Sequence, residues 1–352
     1  MGGCEKQTAN SVRLRSMRTA FGSPHILKNK NSGKLLYPTP ACERLQAVKK
    51  GLVICMSKLR KKRMQFVITA LVVPVILLIV FVVIPAADLF RMSFTNWDGY
   101  SKESDIVGFT NYISMLKNKD LWLSLKNNAV YFGIHFFMIA VELGFAVILT
   151  GRLRAAKFYK TMVFMPYIIN GVAVSYAFSY FFSPINGAFD AVLGALNLEF
   201  LIRNWLSDPK IVNYVLSFVS VWRFSGYHVI LFMAALQSIP QDVAEAAKVD
   251  GANAWQLFKY IQVPGIMLMV DFVLFDNIRG SLQVFDIPFV ITAGGPGYAS
   301  STFTLYTIKT AFTYSNFGLA STMAVAIMIM IVFIYVIQNK IIHGLILRDR
   351  RK

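Results

Sequence analysis

Six long apolar stretches separate the polar segments along the chain. They lie at about residues 64–86, 127–150, 161–183, 212–237, 265–291 and 317–341. A helix needs roughly 20 consecutive apolar residues to cross the hydrocarbon core of a bilayer. The pattern therefore predicts an all-α membrane protein with six transmembrane helices. The fourth and fifth stretches are the least regular, because Arg223, Asp276 and Arg279 interrupt them.

Polar segments flank this predicted membrane domain, residues 64–341, at both ends. Residues 1–63 are basic, rich in Ser, Asn and Gly, and lack a sustained apolar period, which is typical of a disordered cytoplasmic tail. Met56 begins a short polar lead into the first span, so we expect residues 1–55 to be dispensable. Residues 342–352 form a second short basic tail.

The composition agrees with a membrane location. The chain is 56% hydrophobic and 15% charged, whereas soluble domains carry about 25% charged residues. With the N-terminus inside, 26 of the 36 Lys and Arg residues lie in cytoplasmic segments and 8 in outside loops. Such an excess of basic residues marks the cytoplasmic side. We therefore expect a multi-pass protein of the bacterial inner membrane with both termini cytoplasmic, and the net charge of +18 needs no nucleic-acid partner.

The segment between the fourth and fifth spans, residues 238–264, has its own pattern. Pro240 suits a first helical turn, and good helix formers follow it. Gly251 permits a turn with positive φ, and Pro264 is expected to end the next helix. The pattern predicts two short helices joined at Gly251. From periodicity alone, an amphipathic connector lying on the membrane is the simpler interpretation.

Several ordered motifs change that interpretation. Residues 245–251 and 261–264 resemble the EAA loop of permease subunits of ABC importers. Residues 222–237 resemble the helix that precedes this loop in the sugar-type, or maltose-type, members. Residues 291–297 resemble their outside Thr-x-Gly-Gly-Pro turn, and residues 318–321 the start of their last helix. The resemblance covers about residues 212–341; residues 267–269 depart from it, where many relatives have a further proline.

The resemblance implies a type I ABC importer transmembrane domain of six helices, whose EAA loop docks as a coupling helix on an ATPase subunit. The matching positions are Glu245, Ala246, Ala247, Asp250 and Gly251. The chain has no P-loop. We therefore expect ATP and Mg²⁺ on a separate ATPase dimer, no cofactor on this chain, a second permease subunit completing a heterodimer, and an external solute-binding protein that delivers an oligosaccharide.

In the maltose-type permeases the substrate cavity is lined by the fourth and fifth helices, which points to a set of polar residues here. The candidates are Arg223, Tyr227, Asn277, Arg279, Ser281 and Gln283. For each of them a polar contact between helices is an equal alternative, and Asp276 could pair with Arg279 at a spacing of three. Arg223 has no acidic neighbour at that spacing. It could meet an acidic, alginate-like sugar, or instead Glu142 or the partner subunit; Asp286 is expected to be structural.

Two other functions are open to a membrane protein with polar residues inside its spans. An ion-coupled secondary transporter would use the intramembrane carboxylates, but the sequence has no visible inverted repeat. An intramembrane enzyme would need a nucleophile with a base, or metal ligands. The four histidines have no ligand spacing. Neither alternative accounts for the EAA-like loop.

Overall fold

The computed structural model describes residues 27–28, 35–36, 64–151 and 156–349. The chain divides into two units, Met1–Val83 and Ile84–Lys352. In the first unit, the strands β1 (Leu27–Lys28) and β2 (Leu35–Leu36) pair antiparallel, and a helix begins at Met64. Apart from these two pairs of residues, the predicted tail 1–63 lies outside the described residues, as do the basic residues Arg152 and Arg154.

The remainder of the described chain is helical. Its helices are α1 (Met64–Met92), α2 (Thr110–Lys117), α3 (Lys119–Thr150), α4 (Ala156–Ile168), α5 (Gly171–Phe181), α6 (Ala188–Ala195), α7 (Val212–Gln237), α8 (Gln241–Val249), α9 (Ala254–Leu257), α10 (Met267–Gln283), α11 (Asp286–Thr292), α12 (Phe303–Phe312) and α13 (Phe317–Asp349). Short π-helical turns occur at Ile79–Val83 and Phe258–Gln262, a 3₁₀ turn at Glu199–Leu201 and a single helical turn at Val263–Gly265.

The helical architecture confirms the predicted all-α membrane fold. Within the described residues, α1, α3, α7 and α13 are long and apolar enough to cross a membrane, and two bent pairs raise the number to six if each is one span. Helix α7 has the predicted bounds of the fourth span. Helix α13 continues past residue 341 to Asp349, so the predicted C-terminal tail is helical through most of its length.

The third span is bent in its middle, and a second sharp bend lies at residue 266, where the coupling loop meets the fifth span; the hydrophobic pattern predicted neither. Helices α4 and α5 meet at an angle of 92°, and the segments Ala254–Gly265 and Met267–Thr292 meet at 70°. Asn170 caps the second part of the third span, because its side-chain oxygen accepts a hydrogen bond from the Val172 amide at 2.9 Å. A break in a span leaves backbone groups that need partners other than the helix itself.

The centre of the second unit is the contact of α3 with α7, against which α10 packs. Ala146, Phe232 and Val273 are fully buried at this contact. Between helices in a membrane the attraction comes mainly from close packing and hydrogen bonds, because lipid tails are as apolar as the side chains. Small and large residues therefore interlock here to hold the three helices together.

Buried asparagines attach the loop that follows α11 to this centre. Asn127 donates to the Ser301 carbonyl at 2.8 Å, and Asn213 donates to the Ala299 carbonyl at 2.7 Å. Asn128 accepts from the Phe303 amide at 2.8 Å. Irregular backbone at membrane depth is tolerated only where such partners satisfy it. These side chains thereby hold the loop between α11 and α12 against α3 and α7.

Candidate substrate cavity and coupling loop

A cavity of about 350 Å³ lies among α3, α7, α10 and the start of α11. Four of the six predicted substrate residues line it: Asn277, Arg279, Ser281 and Gln283. Neither Arg223 nor Tyr227 is among the described residues of its wall. The full lining is Tyr131, His135, Ser220, Phe224, His228, Asp276, Asn277, Arg279, Gly280, Ser281, Gln283, Val284, Phe285 and Asp286. The wall thus combines aromatic faces with hydrogen-bonding groups.

Of the four predicted residues that line the cavity, Arg279 and Gln283 are exposed and the other two are buried. Asn277 and Ser281 are 5% and 7% exposed. The Ser281 hydroxyl donates to the Ile278 carbonyl at 2.9 Å, whereas the buried Asn277 amide nitrogen has no hydrogen-bond partner in the described structure. Because this nitrogen is closed off from the cavity, the exposed Arg279 and Gln283 are the predicted residues that a bound sugar could reach directly.

Arg279 is held along its own helix. Its Nη2 donates to Asp276 Oδ1 at 2.8 Å and its Nη1 to Gln283 Oε1 at 3.3 Å. The structure confirms the predicted pairing with Asp276. The guanidinium therefore lies folded back on the face of α10, although it is half exposed.

Arg223 has a carboxylate partner that the sequence did not predict. Its Nη1 forms an ion pair with Asp286 Oδ2, the first residue of α11. The premise that Arg223 lacks an acidic partner and needs an acidic sugar, Glu142 or the second subunit is wrong, because Asp286 lies against α7 and pairs with it. Asp286 also lines the cavity, and its structural role stays a prediction.

Tyr227 stacks on another aromatic ring. The rings of Tyr227 and Tyr167 lie 4.7 Å apart with an angle of 13° between their planes. Tyr167 belongs to α4, in the bent third span, and was not predicted to take part. Tyr227 therefore makes a contact between helices, which was the alternative to a substrate role for this residue.

A histidine with two carboxylates lies at the cavity wall, with His228 and Asp276 in the lining and Glu142 behind them, and sequence reasoning missed this cluster. His228 Nδ1 lies 3.1 Å from Glu142 Oε2, and its Nε2 lies 3.7 Å from Asp276 Oδ2. His228 and Glu142 are 2% and 1% exposed. The three residues come from three helices, so no sequence spacing signals them. The one sequence signal for the cluster is that each of its three residues is a polar residue inside an apolar stretch.

The predicted coupling loop consists of two short helices, α8 and α9, joined at Gly251. Gly251 has a φ of +86°, which a residue with a Cβ adopts only with strain. Asn253 and Gln256 form a capping box at the start of α9, with bonds of 2.9 and 2.8 Å. The prediction that Pro264 ends the second helix holds to within one residue. The helical segment passes through a π-turn at Phe258–Gln262 and ends at Gly265, where the chain bends by 70°.

The surface of this loop is open. Glu245, Ala246, Asp250 and Gly251 are exposed and Ala247 is half-buried. Apolar side chains accompany them, with Val249 88%, Trp255 67% and Tyr260 66% exposed. An exposed mixture of small, acidic and aromatic residues is a surface on which another protein can dock.

Comparison with known proteins decides the family. No family model matches the chain. The chain is 30% identical over 271 residues to a probable ABC transporter permease protein, YurN, of Bacillus subtilis, covering 76% of this chain and 93% of that protein. The chain belongs to the permeases of ABC transporters. This permease is also 29% identical over 277 residues to the multiple sugar-binding transport system permease protein MsmF of Streptococcus mutans, covering 78% and 93% of the two chains.

The fold of the permease has a close counterpart among solved structures. It matches a chain of a bacterial ABC transporter involved in the import of alginate, an acidic polysaccharide, with a TM-score of 0.70 and 20% identity, over 80% of this chain and 96% of that one. At this identity the likeness establishes the fold alone. The predicted ABC importer transmembrane fold is confirmed, and the ion-coupled secondary transporter is not favoured. Permeases of this family are transmembrane subunits that act with a separate ATPase.

Proposed function

We propose that this permease is one of two membrane subunits of a bacterial importer that takes an oligosaccharide from a solute-binding protein and moves it across the inner membrane. The observation that carries this proposal is the cavity beside α7 and α10, with the exposed Gln283 and the rings of Phe224 and Phe285. Sugars present both hydroxyl groups and apolar ring faces, so they suit such a wall. The sugar-transport permease of Streptococcus mutans supports the same substrate class.

The charges around the cavity favour an uncharged sugar. Both arginines predicted as substrate residues already have carboxylate partners in the chain: Arg279 binds Asp276, and Arg223 binds Asp286. An anionic sugar would have to displace one of these carboxylates or lie close to it, at an electrostatic cost. A neutral oligosaccharide needs only hydrogen bonds. We therefore place uncharged oligosaccharides ahead of alginate-like acidic ones.

The other components follow from the resemblance of the loop. An ATPase dimer, which would hold ATP and Mg²⁺, docks on Glu245, Ala246, Ala247, Asp250 and Gly251. A second permease subunit completes the pathway, and a solute-binding protein docks outside. The excess of Lys and Arg supports cytoplasmic termini and a cytoplasmic coupling loop.

Uptake by the reconstituted importer tests the proposal. The complete complex in proteoliposomes, with its binding protein, is supplied with a neutral trisaccharide or a uronic acid trisaccharide of equal length. We expect ATP-dependent uptake of the neutral sugar. Uptake of neither sugar class across a broad panel would refute sugar import, and uptake of the uronate alone would refute the charge argument.

A matched pair of variants tests the cavity. Gln283→Ala removes a hydrogen-bonding group from the wall and should raise the KM for the sugar about 3- to 10-fold, the effect of one lost hydrogen bond. Gln237→Ala makes the same change at the exposed end of α7, away from the cavity, and should leave the KM unchanged. Equal KM values for the two variants would show that the sugar does not touch this wall.

A further inference from the structure

The cluster of Glu142, His228 and Asp276 joins three helices at the cavity, which His228 and Asp276 line. Glu142 lies on α3, His228 on α7 and Asp276 on α10. Asp276 is the only one of the three with substantial exposure, and it also holds Arg279 at 2.8 Å. The contacts therefore form one chain, from buried Glu142 through His228 and Asp276 to Arg279 at the cavity wall.

The surroundings of the ring favour a positive charge on His228. Both ring nitrogens of His228 face carboxylate oxygens, Nδ1 that of Glu142 and Nε2 that of Asp276. A neutral imidazole has one N–H, so one nitrogen would direct a lone pair at a carboxylate. An imidazolium donates from both nitrogens. With His228 positive, the four groups carry two positive and two negative charges and the cluster is neutral.

Two other polar residues near the ring each have one partner. Arg223 is bound by Asp286, and His135 Nε2 lies 3.0 Å from the Ser220 hydroxyl. Among the described residues around the ring, Glu142 and Asp276 are thus the carboxylates that face it, and Arg279 is the second cation. A charge inside a membrane protein that loses its partner is strongly unfavourable.

We propose that Glu142 and His228 are positioning residues for substrate selection: they anchor Asp276, which keeps the Arg279 guanidinium folded along α10 and unavailable to an anionic ligand. The cavity therefore presents Arg279 as a paired group that can donate hydrogen bonds to hydroxyls, and it selects uncharged sugars over acidic ones. This inference rests on the proposed sugar import.

A double-mutant cycle tests the charge balance. His228→Gln leaves two carboxylates without their cation, and Glu142→Gln leaves an excess positive charge. The double variant carrying both changes retains only Asp276 and Arg279 and is neutral again. We expect each single variant to raise the KM for the neutral trisaccharide about tenfold, as loss of a charged hydrogen bond does, and the double variant to return to within about threefold of wild type.

The same cycle is measured without sugar, as the heat-inactivation half-life of the purified importer complex. We expect the single variants to be shorter-lived and the double variant to recover. If the effects of the two single variants simply add in the double variant, in both the KM and the half-life, the ring of His228 fills space and does not balance charge. Because this readout needs no substrate, failure of the inference is distinguishable from failure of sugar import.

A second variant tests selection directly and does not depend on the buried residues. Asp276→Asn removes the carboxylate that occupies Arg279, so the uronic acid trisaccharide should become a competitor or a substrate. Adding Arg279→Gln to this variant should abolish that gain. If Asp276→Asn rejects the uronate as wild type does, Arg279 is not the selecting group and the inference is wrong.

Discussion

The ion pair between Arg223 and Asp286 offers the sharpest test of the packing described here. Arg223 lies in the middle of α7 with its side chain 15% exposed, and Asp286 begins α11 with its side chain 34% exposed. We consider Asp286→Asn, which leaves the arginine charge without its partner, and Arg223→Gln, which leaves the carboxylate. The double variant removes both charges and keeps polar side chains of similar size.

The size of the effect follows from the burial of the two groups. Removing one member of a buried pair costs about 3–5 kcal/mol, because the other charge is left uncompensated. Asp286 is one-third exposed, so water screens part of this cost, and about 2–3 kcal/mol is expected for Asp286→Asn. The double variant should lie within about 1 kcal/mol of wild type, since neutral replacement of a buried pair is often tolerated.

The appropriate assay is a rate. Membrane complexes generally unfold irreversibly, so the half-life of inactivation at a fixed temperature reports the barrier to unfolding. If the whole cost falls on that barrier, 2–3 kcal/mol shortens the half-life about 30- to 150-fold. The pair Arg91 and Asp88 supplies a matched control, because it is exposed on both sides at 3.4 Å. Asp88→Asn should change the half-life less than about threefold.

Two results would refute the reasoning. If Asp286→Asn is as stable as Asp88→Asn, the pair contributes nothing to the fold and Arg223 is available to a ligand. If Arg223→Gln keeps its stability but loses uptake of an acidic oligosaccharide while retaining a neutral one, the acidic-sugar hypothesis is correct and the charge argument fails.

Three further outcomes are expected. Glu245→Lys or Gly251→Pro should leave the complex assembled and abolish ATP hydrolysis stimulated by the binding protein, because the exposed loop loses its charge or its positive-φ joint; normal stimulation would exclude docking there. Gly171→Ala should destabilise the complex by about 1–3 kcal/mol, as overpacking does, since its Cβ would meet the Arg223 ion pair; an unchanged half-life would contradict this. Hydrogen bonds from the backbone at Ser101 and Tyr100 lower the pKa of Asp98 to about 2. A carboxyl group with a lowered pKa stabilises the fold at every pH above its ordinary pKa, and this stabilisation is lost as the pH falls through the lowered pKa. That turn should therefore loosen only as the pH falls from about 4 towards 2. Trp97 fluorescence measures the loosening, with Trp97→Phe as the control.

The spans were predictable because every helix that crosses the bilayer must be apolar over about the same length. A stretch such as 212–237 must be long and apolar whatever it contacts, and α7 has those bounds. The two bends were not predictable from the same signal, because hydropathy records how apolar a segment is and not its direction. Pro166 and Asn170 precede the first bend, yet prolines in other spans do not break them as sharply. Whether a helix bends at such a residue depends on which partners satisfy the backbone groups that the bend leaves free.

The same distinction holds for the polar residues. The pairing of Asp276 with Arg279 was predicted because a spacing of three residues on one helix brings the side chains together. The contacts of His228 with Glu142 and of Arg223 with Asp286 join residues that are far apart in sequence. Their alignment depends on the rotation and depth of each helix, and the sequence alone contains no measure of either.

The starts of two helices, α5 and α11, lie beside the ion pair of Arg223 and Asp286. Asp286 stands where α11 restarts the fifth span, and Gly171 stands where α5 restarts the third. A restarted helix has first-turn amides without helical partners, and a carboxylate near them is stabilising. Asp286 Oδ1 accepts from the Ile287 amide at 3.0 Å, while Oδ2 binds Arg223. One carboxylate thus serves a helix start and a cation, and the absence of a side chain at Gly171 leaves room for that pair. The carboxylate that begins α11 thereby gives Arg223 a partner of opposite charge among apolar helices, where an unpaired arginine would be strongly unfavourable.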